Sequence, residues 1–103
     1  VGYVYRDDVD AILLTGGTGL SSRDQTFETV TSLVTKPLPG YGEVFRMLSF
    51  QEIGAAGMLS RATAGLIEQT AVFTMPGSPG GVRLAMERLI VPELGHVVRE
   101  ARR

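Results

Sequence analysis

The chain has 103 residues, the size of one domain, and with 44% hydrophobic and 20% charged residues it is not a disordered tail. Ten basic and eleven acidic residues give a net charge of −1, so no overall field attracts nucleic acid and any anion must be bound by a local device. The absence of cysteine excludes disulfides and thiolate metal sites, and the single histidine, His96, leaves little material for a histidine-based catalytic pair.

Two continuous apolar runs, residues 10–15 and 71–75, are predicted to be strands because each ends in glycine-containing sequence. Such runs are typical of strands buried on both faces of a parallel sheet. Each is followed by a loop and a helix-like stretch, which predicts an α/β fold. Residues 1–4 also have the character of a strand end. No apolar run approaches the roughly 20 residues that span a bilayer, so we expect a cytoplasmic protein without a membrane or nucleic-acid partner.

The helices are predicted from the spacing of apolar residues. Thr26 is the expected N-cap of a helix that Lys36 and Pro37 end. Further helices are expected over residues 43–50, 52–59 and 79–91, with Pro92 interrupting the last one. The side chains expected to face inward are Phe27, Val30, Leu33, Val34, Val44, Phe45, Leu48, Val82, Ala85, Met86, Leu89 and Ile90.

Glycine and hydroxyl residues fill the two loops after the predicted strands, residues 15–24 and 76–81. Loops that leave the carboxyl ends of parallel strands collect at one edge of the sheet. Glycine permits close approach and positive φ, so successive amides can point at one anion. The spacing fits neither the dinucleotide-binding pattern nor the P-loop pattern. The two loops together therefore predict phosphate binding without a basic patch. The alternative is that they are two turns that bind no ligand.

Asp24 is the acid expected to do chemistry, because it ends the first loop where a bound phosphate would lie. A carboxylate beside phosphates needs a bridging cation, and Mg²⁺ typically binds one or two carboxylates together with phosphate oxygens. The alternative is that Asp24 only caps the helix or pairs with Arg23. Arg61 is expected to steady a loop, with an anion contact as its alternative, and His96 is expected at the surface.

Five short motifs occur in order along the chain. They are LTGGTGL at residues 14–20, RDQT at 23–26, PGYGEVFR at 39–46, LSRA at 59–62 and MPGSP at 75–79. Together they resemble the MoaB/MogA family of molybdenum cofactor biosynthesis. The resemblance covers nearly all of residues 10–98, and residues 89–94 are closer to the MoaB branch.

The resemblance implies a three-layer α/β sandwich with a mostly parallel sheet flanked by helices. It implies one molybdopterin-binding domain over residues 1–103, incomplete at its N-terminus, which assembles as a homotrimer or homohexamer. Active members adenylylate molybdopterin: its terminal phosphate attacks the α-phosphorus of Mg-ATP and pyrophosphate leaves. Asp24 matches the catalytic acid that also positions Mg²⁺. The residues matched to substrate binding are Thr15, Gly16, Gly17, Thr18, Gly19, Ser22, Gly77, Ser78 and Pro79.

The sequence also departs from this pattern. The family has a further strand–helix region with a second functional acid, and we expect that region to precede Val1 in the natural protein. Phe27 and Ser22 stand where prolines are common, and Gly80 and Gly81 loosen the start of the last helix. Two functions stay open: a molybdopterin adenylyltransferase, favoured by Asp24, and an oligomeric molybdopterin or nucleotide carrier without turnover. A third possibility is a sister branch with the same fold, such as the molybdenum-insertion or the competence-damage-inducible proteins, which residues 17–24 fit less well.

Overall fold

The computed structural model describes residues 8–103, which contain four strands and four α-helices. The strands are β1 (Ala11–Thr15), β2 (Lys36–Pro37), β3 (Ala64–Ile67) and β4 (Thr70–Met75). The α-helices are α1 (Thr26–Leu33), α2 (Pro39–Ile53), α3 (Pro79–Ala85) and α4 (Val91–Ala101). A 3₁₀ segment, Gly54–Leu59, follows α2, and a π-helical turn, Met86–Ile90, joins α3 to α4. The strand end expected at residues 1–4 lies outside the described residues.

The described strands form one mixed sheet in the order β1-β4-β3-β2. β1 runs parallel to β4, with Leu13 opposite Phe73, whereas β3 is antiparallel to both β4 and β2. The α/β class is confirmed, but the expectation of a mostly parallel sheet is wrong for these strands. The reason is local: only two residues, 68 and 69, separate β3 from β4, and so short a turn joins antiparallel neighbours. Glu68 has a φ of 56°, as tight hairpin turns require.

Burial differs between the two strands that the sequence predicted. All six residues of β4 are buried, as expected for a central strand. β1 lies at the edge of the described sheet, where Leu13 and Leu14 are 40% and 37% exposed. Burial on both faces is therefore confirmed for β4 and wrong for β1 within the described residues.

Two helices begin differently from expectation. Thr26 is the first residue of α1 and Gln25 is its N-cap. The Thr26 hydroxyl donates instead to the Gly16 carbonyl at 2.8 Å, so the expected N-cap is wrong because a tertiary hydrogen bond uses that group. α2 begins at Pro39, four residues before the expected start at residue 43, because proline suits the first helical position. Within α2, Val44 is 39% exposed instead of facing inward.

Pro92 does not interrupt the last helix. Proline lacks an amide hydrogen, and it lies in the first turn of α4 directly after the π-helical turn, so the chain stays helical to Ala101. Ala85 and Ile90 are buried as expected. None of the helices in residues 8–103 combines the length and the apolarity that crossing a bilayer would require.

Helices cover both faces of the sheet. On one face α2, α3 and the π-helical turn pack against β4 through Phe45, Leu84, Ile90 and Phe73. On the other face Val30 of α1 packs against Ile67 and Val72. Adjacent residues of β4 thus serve opposite cores, because side chains alternate along a strand.

Candidate functional site

The two glycine-containing loops lie next to each other, at the carboxyl ends of β1 and β4. The Gly16 amide donates to the Met75 carbonyl at 2.8 Å. A Cβ at Gly77 would lie 3.5 Å from the Gly16 Cα. Because β1 and β4 are parallel neighbours, both loops leave the sheet at one edge. The expected proximity of the loops is therefore confirmed, and their role in binding stays a prediction.

A cleft of about 390 Å³ opens between these loops and the C-terminal part of α2. The expected site residues on its wall are Gly17, Thr18, Gly19, Asp24, Gly77 and Ser78. Four others are not part of that wall: Thr15, Gly16, Ser22 and Pro79. The structure thus brings most of the expected residues together in one concave site.

The first loop holds a conformation that only glycine accommodates. Gly16 and Gly17 have φ values of 90° and 71°. A Cβ at Gly17 would overlap the Thr26 hydroxyl oxygen. The Thr26 amide also donates to the Gly17 carbonyl at 3.0 Å, so the loop packs tightly on the start of α1.

Asp24 closes a turn inside the first loop. Its Oδ2 accepts from the Ser21 amide at 3.0 Å, and its own amide donates to the Ser21 carbonyl at 2.9 Å. A Cβ at Gly19 would lie 2.8 Å from Oδ2, so the carboxylate packs on bare backbone. In the described residues Asp24 neither pairs with Arg23 nor caps α1, which removes both structural alternatives considered for it.

Arg61 holds the first loop from behind. Its Nε donates to the Gly19 carbonyl at 2.9 Å, and its Nη2 donates to the Asp24 carbonyl at 2.8 Å. Nη1 pairs with the Glu28 carboxylate, and this hydrogen bond is the main reason that the pKa of Glu28 lies below its ordinary value. The expected loop-steadying role of Arg61 is confirmed.

The second loop is held by its own sequence and by one buried phenol. The Ser78 hydroxyl accepts from the Gly81 amide at 3.1 Å and so caps α3, whose first residue is Pro79. Just before the loop, the Tyr41 hydroxyl donates to the Thr74 carbonyl at 2.7 Å. Burial raises the pKa of Tyr41 to about 12.

Three further polar residues that line the cleft were not identified as site residues from the sequence: Ser49, Glu52 and Ser60. Ser49 is 8% exposed and Glu52 follows it by three residues on α2, so both lie on one helix face. That spacing was visible in the sequence. Only the packing of α2 beside the loops shows that this face lines the cleft.

Two carboxylates are the groups on the cleft wall that could bind a metal ion. In residues 8–103 no group of three or more His, Cys, Asp or Glu side chains is placed to hold a metal ion. The cleft wall offers the carboxylates of Asp24 and Glu52. Mg²⁺ commonly takes one or two carboxylates with substrate phosphate oxygens and water. Binding of Mg²⁺ at these carboxylates, together with a phosphate substrate, stays a prediction.

Comparison with known proteins agrees with the motifs. Residues 4–96 match the family model described as a probable molybdopterin binding domain. The chain is 60% identical over 98 residues to molybdenum cofactor biosynthesis protein B of Bacillus subtilis, an alignment that covers 94% of this chain and 58% of that protein. The chain thus spans less than two thirds of the length of the curated relatives it matches.

Solved structures give the same result. A crystal structure of molybdenum cofactor biosynthesis protein B matches with a TM-score of 0.92 at 53% identity, over 98% of this chain and 63% of that one. The tungsten cofactor synthesizing protein MoaB from Pyrococcus furiosus matches with a TM-score of 0.84 at 42% identity, over 91% of this chain and 60% of that one. The chain belongs to the family of probable molybdopterin binding domains, as its resemblance to MoaB and MogA predicted.

Proposed function

We propose that the cleft binds molybdopterin and Mg-ATP and that the protein transfers AMP to the terminal phosphate of molybdopterin, releasing pyrophosphate. Membership of the family supports the pterin ligand, and the names of the relatives support a role in molybdenum cofactor biosynthesis. The observation that carries the proposal is the meeting of two glycine-containing loops beside Asp24 in one cleft.

Backbone amides are the groups expected to hold the phosphates. These amides are those of residues 17–19, which line the cleft, because the Gly16 amide is already used by the Met75 carbonyl. The positive φ values of Gly16 and Gly17 turn the chain so that this stretch of backbone borders the cleft. Among the described residues, neither lysine nor arginine lines the cleft. Phosphate charge must therefore be balanced by amide dipoles and by the cation that accompanies ATP.

The transfer requires positioning more than covalent help from the protein. A molybdopterin phosphate oxygen forms the bond to the α-phosphorus, and the bond from that phosphorus to the bridging oxygen of pyrophosphate breaks. Both reacting groups are anionic, so alignment and charge neutralisation account for most of the rate. Bound Mg²⁺ supplies part of that neutralisation. Asp24 would bind the cation, and one of its carboxylate oxygens is already oriented by the Ser21 amide.

An apolar strip on the wall suits the flat heterocycles of these substrates. Ile53, Ala56 and Leu59 line the cleft next to Ser49 and Glu52. Ligand sites commonly combine apolar walls with a few polar groups that fix orientation. This side of the cleft is therefore where the pterin or adenine ring would pack.

Replacement of Asp24 by asparagine tests the enzymatic proposal, because it removes the charge and keeps the shape. In the full-length protein with molybdopterin and Mg-ATP, we expect pyrophosphate release to fall by about 100-fold or more, as for loss of a preorganised charge at the reacting centre. Molybdopterin affinity and thermal stability should change little. Asp10→Asn is the matched control, because Asp10 pairs with Arg102 outside the cleft.

Two results would count against adenylylation. Full activity of the Asp24→Asn variant would remove Asp24 from the mechanism. Tight binding of molybdopterin by the unmodified protein without pyrophosphate release would support the carrier function instead.

We also propose that copies of the chain meet through α2, in the homotrimer or homohexamer that the resemblance implies. Apolar side chains exposed by 39% to 73% follow one another along α2 and the 3₁₀ segment. They are Val44, Met47, Phe50 and Met58; Ile53 and Leu59 are exposed as well but belong to the cleft wall. A contiguous exposed apolar patch is typical of an interface between proteins.

Sedimentation of the Phe50→Asp variant tests this interface. We expect the variant to sediment as a single chain, since a charge buried between copies would have no partner. Val91→Asp is the control, because Val91 is 64% exposed at the start of α4. An unchanged oligomer of the Phe50→Asp variant would place the interface elsewhere.

A further inference from the structure

Arg61 lies behind the first loop and is absent from the cleft wall. Its side chain is 24% exposed. Its amide donates to the Thr18 carbonyl at 2.7 Å, and its guanidinium donates to the carbonyls of Gly19 and Asp24. One residue therefore fixes the loop at three points, the last of them on the residue that carries the proposed catalytic carboxylate.

The guanidinium is itself held in place by α1. Nη1 donates to the Glu28 carboxylate, and the Arg61 Cζ lies 5.4 Å from the centre of the Phe27 ring. A planar guanidinium can serve two carbonyls, a carboxylate and an aromatic face at once, which a lysine ammonium on its flexible stem cannot. Since α1 begins two residues after Asp24, Arg61 contacts the chain both before and after Asp24.

The segment that carries Arg61 is anchored by a second arginine. Nη1 of Arg46, on α2, donates to the Ala62 carbonyl at 3.0 Å and to the Ser60 carbonyl at 3.3 Å. A Cβ at Gly42 would lie 2.7 Å from the Ala62 carbonyl oxygen, so this close approach needs glycine there. The support of the loop thus extends from α2 through residues 60–62 to Asp24.

We propose that Arg61 is a positioning residue for the transfer reaction, which sets the location of the Asp24 carboxylate while it contacts neither substrate. This inference rests on the proposed function. Within the loop, the carboxylate has one hydrogen bond, from the Ser21 amide. Loss of the Arg61 contacts would free the Gly19 and Asp24 carbonyls and let the carboxylate move away from its place beside Gly19.

Kinetics of the Arg61→Lys variant of the full-length protein give the first test. Lysine keeps the positive charge beside Glu28 and loses the simultaneous bonds to both carbonyls. Displacement of a reacting group by about 1 Å can cost up to about 100-fold in rate, so we expect kcat to fall by about 10- to 100-fold. KM for Mg-ATP and for molybdopterin should stay within about threefold, because Arg61 does not line the cleft. Arg102→Lys is the matched control, since Arg102 also pairs with a carboxylate but lies outside the cleft.

Hydrogen exchange of the Ser21 amide gives a second readout that needs no activity. This amide donates to Asp24 Oδ2, so its protection reports where the carboxylate lies. We expect protection to fall several-fold in Arg61→Lys and to be unchanged in Arg102→Lys. Glu28→Gln should produce a smaller change in the same direction, and it serves as the test if Arg61→Lys does not fold.

The outcomes separate the two proposals. Loss of Ser21 protection in Arg61→Lys, with no pyrophosphate release even by the unmodified protein, would overturn the adenylylation and leave only the role of Arg61 in placing the Asp24 carboxylate. Unchanged Ser21 protection and unchanged kcat would overturn the positioning role. A raised KM with unchanged kcat would also overturn it, because that result assigns Arg61 to direct substrate binding.

Discussion

The two loops of the cleft are fixed by different kinds of contact. The β1–α1 loop is held by Arg61, which is 42 residues from its partner Gly19. The β4–α3 loop is held by Ser78, which caps α3 by accepting from the Gly81 amide three residues further on. The distant contact nearest that loop comes from Tyr41 and is made to the Thr74 carbonyl on the preceding strand. A distant side chain therefore holds the loop that carries Asp24 directly, whereas the loop beside it is held by its own Ser78.

The contacts that hold the two loops also differ in how deeply they are buried. The Arg61–Glu28 pair is partly exposed, with side chains 24% and 57% accessible. The Tyr41 hydroxyl that holds the Thr74 carbonyl, at the end of β4, is buried. A partly exposed ion pair contributes little to global stability, while an unsatisfied buried group is costly. We therefore expect changes at the first loop to affect function more than stability, unless they break its glycine turn.

Gly17→Val should have the largest effect on stability, because it disrupts the glycine turn of the first loop. Its φ of 71° is strained for valine, and a Cβ would overlap the Thr26 hydroxyl. We expect a loss of about 2–4 kcal/mol in the free energy of unfolding, measured by urea denaturation. Molybdopterin affinity should fall as well, because a branched side chain would block approach to the backbone.

Gly77→Ala is the comparison for this variant in the second loop. A Cβ there would lie 3.5 Å from the Gly16 Cα, an ordinary contact, so we expect a change below about 0.5 kcal/mol. Equal losses of stability at positions 17 and 77 would contradict the difference drawn between the loops.

Gly19→Ala should reduce activity with little loss of stability. The new methyl group would lie 2.8 Å from Asp24 Oδ2, and the carboxylate, as the end of a side chain, can turn away. We expect kcat to fall by about tenfold and the free energy of unfolding by less than about 1 kcal/mol. Gly40→Ala is the control, since nothing lies within 4 Å of a Cβ there. Unchanged kcat would show that the site tolerates displacement of Asp24.

Acid should loosen the first loop before the second. The hydrogen bond from Arg61 lowers the pKa of Glu28 below its ordinary value of 4.5. The contribution of the Glu28–Arg61 pair to the free energy of unfolding is therefore complete above pH 4.5. It is lost as the pH falls through the lowered pKa of Glu28. The unfolding free energy of the Glu28→Gln variant should fall less over this range than that of the unmodified protein, as urea denaturation at each pH would measure. If the unfolding free energies of the two proteins changed equally with pH, the Glu28–Arg61 pair would make no contribution.

Alkali should act on the anchor of the second loop. The pKa of Tyr41 is raised from 10.0 to about 12, so the folded protein retains this proton where the unfolded chain loses it. The resulting stability is complete below pH 10 and is lost as the pH rises from 10 through 12. Tyr41→Phe should remove this dependence, and its persistence in that variant would assign it to other groups.

Local patterns predicted the parts of the site that depend on near neighbours. Both loops follow predicted strands. β3 was missed because Ala64 and Gly65 give no alternation and little β preference. Thr26 was misassigned because its hydroxyl bonds to Gly16, ten residues back, instead of to its own helix.

The order of residues within short motifs was enough to establish that two glycine-containing turns follow two apolar strands and that the chain belongs to a pterin-binding family. Folding in three dimensions was needed to show that Glu52 and Ser49 line the same cleft as Asp24 and that Arg61 reaches the Asp24 carbonyl, 37 residues away. A guanidinium can serve any carbonyl within its reach. Only the placement of residues 60–62 beside the first loop, where Arg46 of α2 anchors them, selects which carbonyl that is.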